Sequence, residues 1–144
     1  MKKQALITGA TSGIGRATAL RLAAEGYDIT ATGRRAERLE TLRREIEAAG
    51  GRCTALVFDV RSEAEVRKFL SPLERVDLLI NNAGLAAGLE HIDQGDTADW
   101  DAMIDTNVKG LLYVTRVVTP KMVAAGGGHV FNIGSIAGTE AYEN

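Results

Sequence analysis

The chain has 144 residues, 45% of them apolar and 25% charged, with 16 glycines, 2 prolines and a net charge of −2. That length suffices for one domain with its own core, and the small net charge gives no reason to expect a nucleic acid or an anionic membrane as partner. Cys53 is the one cysteine, which excludes an intrachain disulfide; the short apolar stretch after Lys3 is no signal peptide or membrane span, and the cytoplasm is expected.

In chain order, residues 4–8 (QALIT) read as a first strand, followed by a turn over 9–13. A helix then runs to about Glu25, with Ala19, Leu22 and Ala23 on its apolar side and Gly26 suited to its C-terminal cap. Residues 28–32 (DITAT) form the second strand. The stretch 35–49 is an amphipathic helix: Leu39, Leu42 and Ile46 share one face, and Glu40 and Arg44 pair four apart on another. Residues 54–58 make the third strand. Ser62 and Glu65 have the capping-box spacing and start a helix with Val66, Phe69, Leu70 and Leu73 inward. The fourth strand, 77–80 (DLLI), is nearly continuous in apolar residues, as a strand covered on both faces should be.

After a glycine-rich loop, Trp100, Met103 and Ile104 mark a helix that runs on through Asn107 into Leu111, Leu112, Thr115, Val118 and Met122. Pro120 should kink it or loosen its last turns. Residues 126–128 (GGG) punctuate, and 129–133 (HVFNI) form a fifth strand. Strands alternating with crossover helices predict an α/β fold, a Rossmann-type doubly wound parallel sheet represented by its first five strands.

The turn between the first strand and the first helix, TGATSGIG over 8–15, carries the chemistry. Gly9 permits a turn that a side chain would obstruct, Gly13 lets the backbone approach a phosphate, and Gly15 lets the helix pack against the strand. Thr11, Ser12 and Ile14 complete the loop. The helix then directs its free N–H groups and positive dipole end at a pyrophosphate. An empty glycine-rich turn is the plain alternative, but the placement at this strand–helix junction speaks against it.

The second strand ends in Thr32-Gly33-Arg34-Arg35. A cofactor lacking the 2′-phosphate is usually met there by Asp or Glu, which binds the ribose hydroxyls. Here no carboxylate repels a phosphate, and two guanidinium groups are available for one. Arg34 and Arg35 could instead be a solvated helix start, but the dipole disfavours cations at that end. The expected cofactor is NADP.

Five motifs in order, TGATSGIG, Asp59-Val60, NNAG over 81–84, Asn107 in IDTNVKG and Ser135 in NIGSIAG, resemble the classical short-chain dehydrogenase/reductases. The resemblance implies that Asp59 and Val60 bracket the adenine and that Asn82, Ala83 and Gly84 line the ribose. It implies that Asn107 holds a water in a proton relay at a break in its helix, and that Ser135 hydrogen-bonds the substrate oxygen. Residues 1–144 would then be the NADP-binding N-terminal part of such an enzyme. The stretches ITATGRRAERL, NNAGLAAGLE and DWDAMIDTNVKGL look like the NADP-dependent 3-hydroxy acid dehydrogenases, usually tetramers acting on serine, allo-threonine and related small hydroxy acids. A homo-oligomer and a small hydroxy acid or alcohol substrate are implied, with hydride transfer as the reaction.

Each residue has a bland alternative. Asp59 could be a turn residue at the strand end, Asn81 and Asn82 could satisfy backbone groups, Asn107 could end a helix, and Ser135 could be a turn serine. A non-catalytic NADP-binding module, or an inactive fragment, is the competing reading of the whole. A serine hydrolase on Ser135 fails on spacing, because Gly134 directly precedes the serine and Gly138 is three away. Neither His91 nor His129 has a neighbour at ligand spacing, so no metal is expected.

The family's catalytic tyrosine, with a lysine four residues later, lies about a dozen residues beyond the serine, where the lysine lowers the tyrosine's pKa. Tyr142 is seven residues past Ser135 with no lysine after it, and reads as a loop residue. The chain is therefore expected to stop before the proton-transfer pair. Leu111, Val118 and the fifth strand should then expose an apolar patch and a free edge, favouring aggregation or a complementary segment.

Overall fold

The computed structural model describes residues 2–140. Five strands, β1 (Gln4–Ile7), β2 (Asp28–Gly33), β3 (Cys53–Val57), β4 (Leu78–Asn81) and β5 (His129–Asn132), form one sheet in the order β3-β2-β1-β4-β5. Every pairing is parallel. The order reverses between β1 and β4, which opens a crevice at the carboxyl ends of these two central strands. Strand ends differ from the sequence expectation by a residue. Phe58, one residue past β3, still donates its N–H to Gly33 O at 3.1 Å, and its buried side chain stacks on Phe69, 5.4 Å between ring centroids.

Because successive strand residues face opposite ways, β1 feeds two cores. Ala5 and Ile7 join α1 (Gly13–Ala24) and α2 (Ala36–Ala48) through Ala19, Leu39, Leu42 and Ile46. Leu6 joins α3 (Glu63–Leu70) and α5 (Leu111–Ala124) through Val66, Leu70, Val114 and Val118 on the other face. Full burial of each such Leu, Ile or Val contributes about 1.5–3 kcal/mol. Arg16 reaches Glu45 at 2.6 Å and ties α1 to α2, while the Glu40–Arg44 pair forms at 3.0 Å.

Several expectations need correction. Val118 is wholly buried, because residues 114, 118 and 122 recur every fourth position and face β4 and α3; Leu111 is half-buried. The apolar side chains that α5 and the turn before it do expose are Val108, Leu112 and Val123. All four β5 residues are exposed, as expected of an edge strand. Ile104 points outward at 52% exposure, with Trp100 and Met103 half-buried, so α4 (Thr97–Ile104) buries no residue fully.

The helix continues unbroken through Pro120 to Ala124. Both Pro120 and Arg116, whose carbonyl loses its donor, are exposed, so water can take the freed acceptor. The capping box forms by half: the Ser62 hydroxyl accepts from Glu65 N–H at 3.2 Å, but the Glu65 carboxylate accepts from Asp59 N–H instead. Between α4 and α5, Asp105–Gly110 winds as a π-helix, and this is the break expected around Asn107. Tyr142 lies outside the described residues. Among the described residues no helix is long and apolar enough to cross a membrane.

Cys53 sits in the first core at 5% exposure. Burial, with Glu47's charge adding to it, pushes its thiol up to about 11. Near neutral pH it is protonated and unreactive, so alkylation of the native protein by iodoacetamide should run roughly tenfold or more below the rate in urea. Equal native and unfolded rates, followed by mass spectrometry, would contradict the burial.

Candidate functional site

Thr8, directly after β1, organises the crevice. Its buried hydroxyl accepts the N–H groups of Asn82 and Ala83, each at 3.0 Å, which joins the end of β1 to the end of β4. The Asn82 amide nitrogen answers by donating to the carbonyls of Thr8 and Gly9, at 3.0 and 3.2 Å. This reciprocal set leaves no room for side chains. A Cβ on Gly9, whose φ is +65°, would stand 2.8 Å from Ala83 Cα. One on Gly15 would overlap the Asn82 amide and stand 2.6 Å from the Gly9 carbonyl oxygen.

Gly13 opens α1 with φ +55° and faces open space. The Ser12 side chain caps none of the first-turn amides, so these donors stay available at the helix's positive end.

A cleft of about 870 Å³ opens above these strand ends. Its walls bring together Gly9, Thr11, Ser12 and Ile14 from the turn, Arg34 and Arg35 after β2, Asp59 and Val60 after β3, Asn82, Ala83 and Gly84 after β4, Asn107, and Ser135. Gly13 and Gly15 do not line it; Gly15 sits behind, at the contact of α1 with Asn82.

The two arginines differ. Arg35 is the N-cap residue of α2, and its guanidinium donates to Thr11 Oγ1 (3.1 and 2.5 Å) and to Ser12 Oγ (2.9 Å). It thereby braces the glycine turn from the second strand. Arg34 is 62% exposed and stands 3.9 Å from the Asp59 carboxylate. Asp59 also accepts from Arg61, at 2.9 and 2.7 Å from the side chain and 3.0 Å from the backbone N–H. Burial opposes its charge, but the Arg61 hydrogen bonds and the two neighbouring cations outweigh it and hold the carboxyl below its ordinary range.

At the far end of the cleft, Asn107 uses both ends of its amide on one residue of the loop after β4. Its Oδ1 accepts from Leu85 N–H at 2.9 Å, and its Nδ2 donates to Leu85 O at 2.8 Å. Ser135 precedes a single 3₁₀ turn, Ile136–Gly138, and its hydroxyl accepts from Ala137 N–H at 3.1 Å. That bond occupies a lone pair and leaves the hydroxyl hydrogen free to donate.

Sequence reasoning passed over several residues of the same cleft. Gly33 is one: a Cβ there would meet Thr11 Cγ2 at 2.6 Å, so a bare backbone at the end of β2 is what admits Thr11. Asn81 is another, buried at 4% exposure, donating to Thr115 Oγ1 and Asn132 Oδ1 at 2.9 Å each and so fixing the cleft end of β5 against α5. Thr8 and Asn81 stand inside the quoted motifs and could have been found there. Gly33 carried no signal beyond its glycine.

A family model described as short chain dehydrogenase matches residues 3–144. A probable NADP-dependent dehydrogenase of Haemophilus influenzae is 46% identical over 142 residues, which cover 96% of this chain and 55% of that protein. An NADP-dependent 3-hydroxy acid dehydrogenase, YdfG, of Salmonella typhi is 45% identical over 141 residues, covering 95% and 56%. Among solved structures, the closed form of serine dehydrogenase complexed with NADP+ superposes with a TM-score of 0.90 at 43% identity, covering 96% of this chain and 56% of that one. The chain thus spans a little over half the length of the curated relatives it matches. On the strength of a family match running almost from end to end, over a parallel sheet with its crevice at the β1/β4 reversal, the chain belongs to the short chain dehydrogenase family.

Proposed function

We propose that residues 1–144 are the N-terminal, NADP-binding domain of an oxidoreductase that moves a hydride between the nicotinamide and a small hydroxy acid or related alcohol or carbonyl compound. The observation that carries the cofactor choice is the end of β2, where Arg34 and Arg35 flank the cleft and no carboxylate is present. A phosphate on the adenosine ribose meets two cations there, one already braced on the glycine turn. The names of the relatives and the NADP+ in the serine dehydrogenase structure favour the same choice.

The residues fit that cofactor. Gly9 and Gly15 let the turn and α1 close against Ala83 and Asn82, Gly13 leaves open space for a diphosphate, and the uncapped first turn of α1 offers it donors. Asp59 and Val60 bracket the adenine, and Asn82, Ala83 and Gly84 line the ribose. When bound, the nicotinamide supplies the hydride donor or acceptor. Ser135, with its hydroxyl hydrogen uncommitted, orients and polarises the substrate oxygen. Asn107 spends one Nδ2 hydrogen and one Oδ1 lone pair on Leu85, and with the capacity that remains it holds a relay water.

The reading includes a cytoplasmic homotetramer. A single buried thiol supports the reducing compartment, and exposed Val108, Leu112 and Val123 support association. The test is a fluorescence titration of the protein with NADPH and with NADH, alongside NADP+-linked oxidation of serine and allo-threonine. NADPH should bind roughly tenfold or more tightly, one charged hydrogen bond's worth. Equal affinity for both nucleotides would remove the phosphate-binding role.

A further inference from the structure

Arg61 does not line the cleft, yet it is the residue that makes most of the contacts to Asp59, which does. The two form a closed unit on the loop after β3. The backbone N–H of Arg61 holds one carboxylate oxygen and its guanidinium holds the other, at 2.7 Å from Nη2. Asp59 Oδ2 is also the atom nearest Arg34, at 3.9 Å. One carboxylate oxygen therefore stands between a cation inside the site and a cation behind it. Two other acids bear on the unit: Glu65, whose carboxylate accepts from Asp59 N–H at 2.9 Å, and Asp105, which Lys109 already pairs at 2.7 Å.

This arrangement addresses a conflict in the site. An acidic group near the bound ribose repels a 2′-phosphate and competes with it for the same guanidinium, yet Asp59 is an acid within reach of Arg34. We infer that Arg61 is a specificity-determining residue for the phosphorylated cofactor: by neutralising Asp59 from behind, it frees Arg34 for the 2′-phosphate and removes the charge that would oppose it. The inference rests on the NADP reading above and deepens it. Asp59 is 25% exposed at its side chain and Arg61 40%, so the pair is partly shielded and its effect is screened, not abolished, by salt.

A merely structural Arg61 would hold the loop, and its loss would weaken NADPH and NADH alike. A neutralising Arg61 acts on the ratio between them. The experiment is fluorescence titration of the full chain with both nucleotides, for wild type, Arg61→Ala, Arg61→Lys, Asp59→Asn and the double variant Arg61→Ala, Asp59→Asn. Arg61→Ala should lower the NADPH/NADH preference roughly three- to tenfold, the scale of a partly exposed ion pair with a charged hydrogen bond. Arg61→Lys, which keeps the charge, should retain most of the preference.

The double variant is decisive, because with the carboxylate gone there is nothing left to neutralise, and the preference should return to the wild-type value. Equal weakening of both nucleotides by Arg61→Ala, or no recovery in the double variant, overturns the inference while leaving the NADP reading intact. A wild-type protein without any preference for NADPH removes that reading itself, and this inference with it.

Discussion

Replacing Arg34 and Arg35 together by alanine should weaken NADPH binding roughly ten- to a hundredfold while changing NADH by no more than about threefold. A hydrogen bond to a charged group is worth about 1.5–3 kcal/mol, and one such bond lost corresponds to that range. Two terms act in the same direction. Arg34 is largely exposed and carries the looser contact, so its share is mainly long-range attraction and falls with salt. Arg35 is anchored by three contacts to Thr11 and Ser12, so less rotamer freedom remains to be lost when a phosphate arrives. The single variants should therefore separate: Arg35→Ala also loosens the glycine turn and weakens NADH slightly, whereas Arg34→Ala spares NADH. Comparable losses for both nucleotides in the double variant would show that the pair holds the fold and not the phosphate.

Gly15→Ala should lower the stability of the protein and abolish nucleotide binding together. Helix propensity alone favours Ala over Gly by roughly 1 kcal/mol. Against it stands overpacking, about 1–3 kcal/mol for one methyl group forced into a filled contact. Here the upper end applies, because the new Cβ meets the Gly9 carbonyl at 2.6 Å and overlaps the Asn82 amide. Neither can retreat without breaking the Thr8–Asn82–Ala83 set. The net loss of about 1–2 kcal/mol lowers Tm by several degrees in a domain of this size.

Gly13→Ala is the informative contrast. Its site has open space, so the cost is that of a left-handed φ alone, roughly 1–2 kcal/mol, with no disturbance of Asn82. Thermal melts and NADPH titrations of the two variants should then diverge, with Gly15→Ala losing binding more completely. A Gly15→Ala protein that melts with wild type would mean that α1 can slide away from Asn82.

Local patterns carried most of this architecture. Leu39, Leu42 and Ile46, or Val66 and Leu70, announce their buried face through spacing, since a helix repeats its orientation every three to four residues. The glycine turn announced itself because its residues are consecutive. What stayed hidden depends on partners far apart in the chain. Val118 shares its spacing with Val114 and Met122, but the cluster it joins draws Phe58, Val66 and Leu79 from other elements, and the sequence around residue 118 does not record those partners. Ile104 looks like a core residue by type, but the helix that bears it touches the sheet too little to bury it. Gly33 faces Thr11 from another strand, and the Arg61–Asp59 unit matters only because Arg34 arrives from β2. Adjacent residues could be read as a site from their spacing; of those that meet through the sheet order, Asp59, Asn82, Asn107 and Ser135 were reached through the family resemblance, and Gly33 and Arg61 were not.

The wide turn at Asp105–Gly110 has a geometric consequence for the two helices it joins. A straight α-helix turns 100° per residue, so one surplus residue offsets everything beyond it by that angle. Asn107 must clasp Leu85 on one side, while Val114, Val118 and Met122 must point to the sheet on another. The surplus works as a gear offset that lets both demands hold in one continuous rod. Gly110, where a Cβ would come within 2.7 Å of Val60 Cγ2, sets how closely that rod lies on the adjoining wall. Trimming one residue from the segment would realign the rod and force a choice between the clasp and the core.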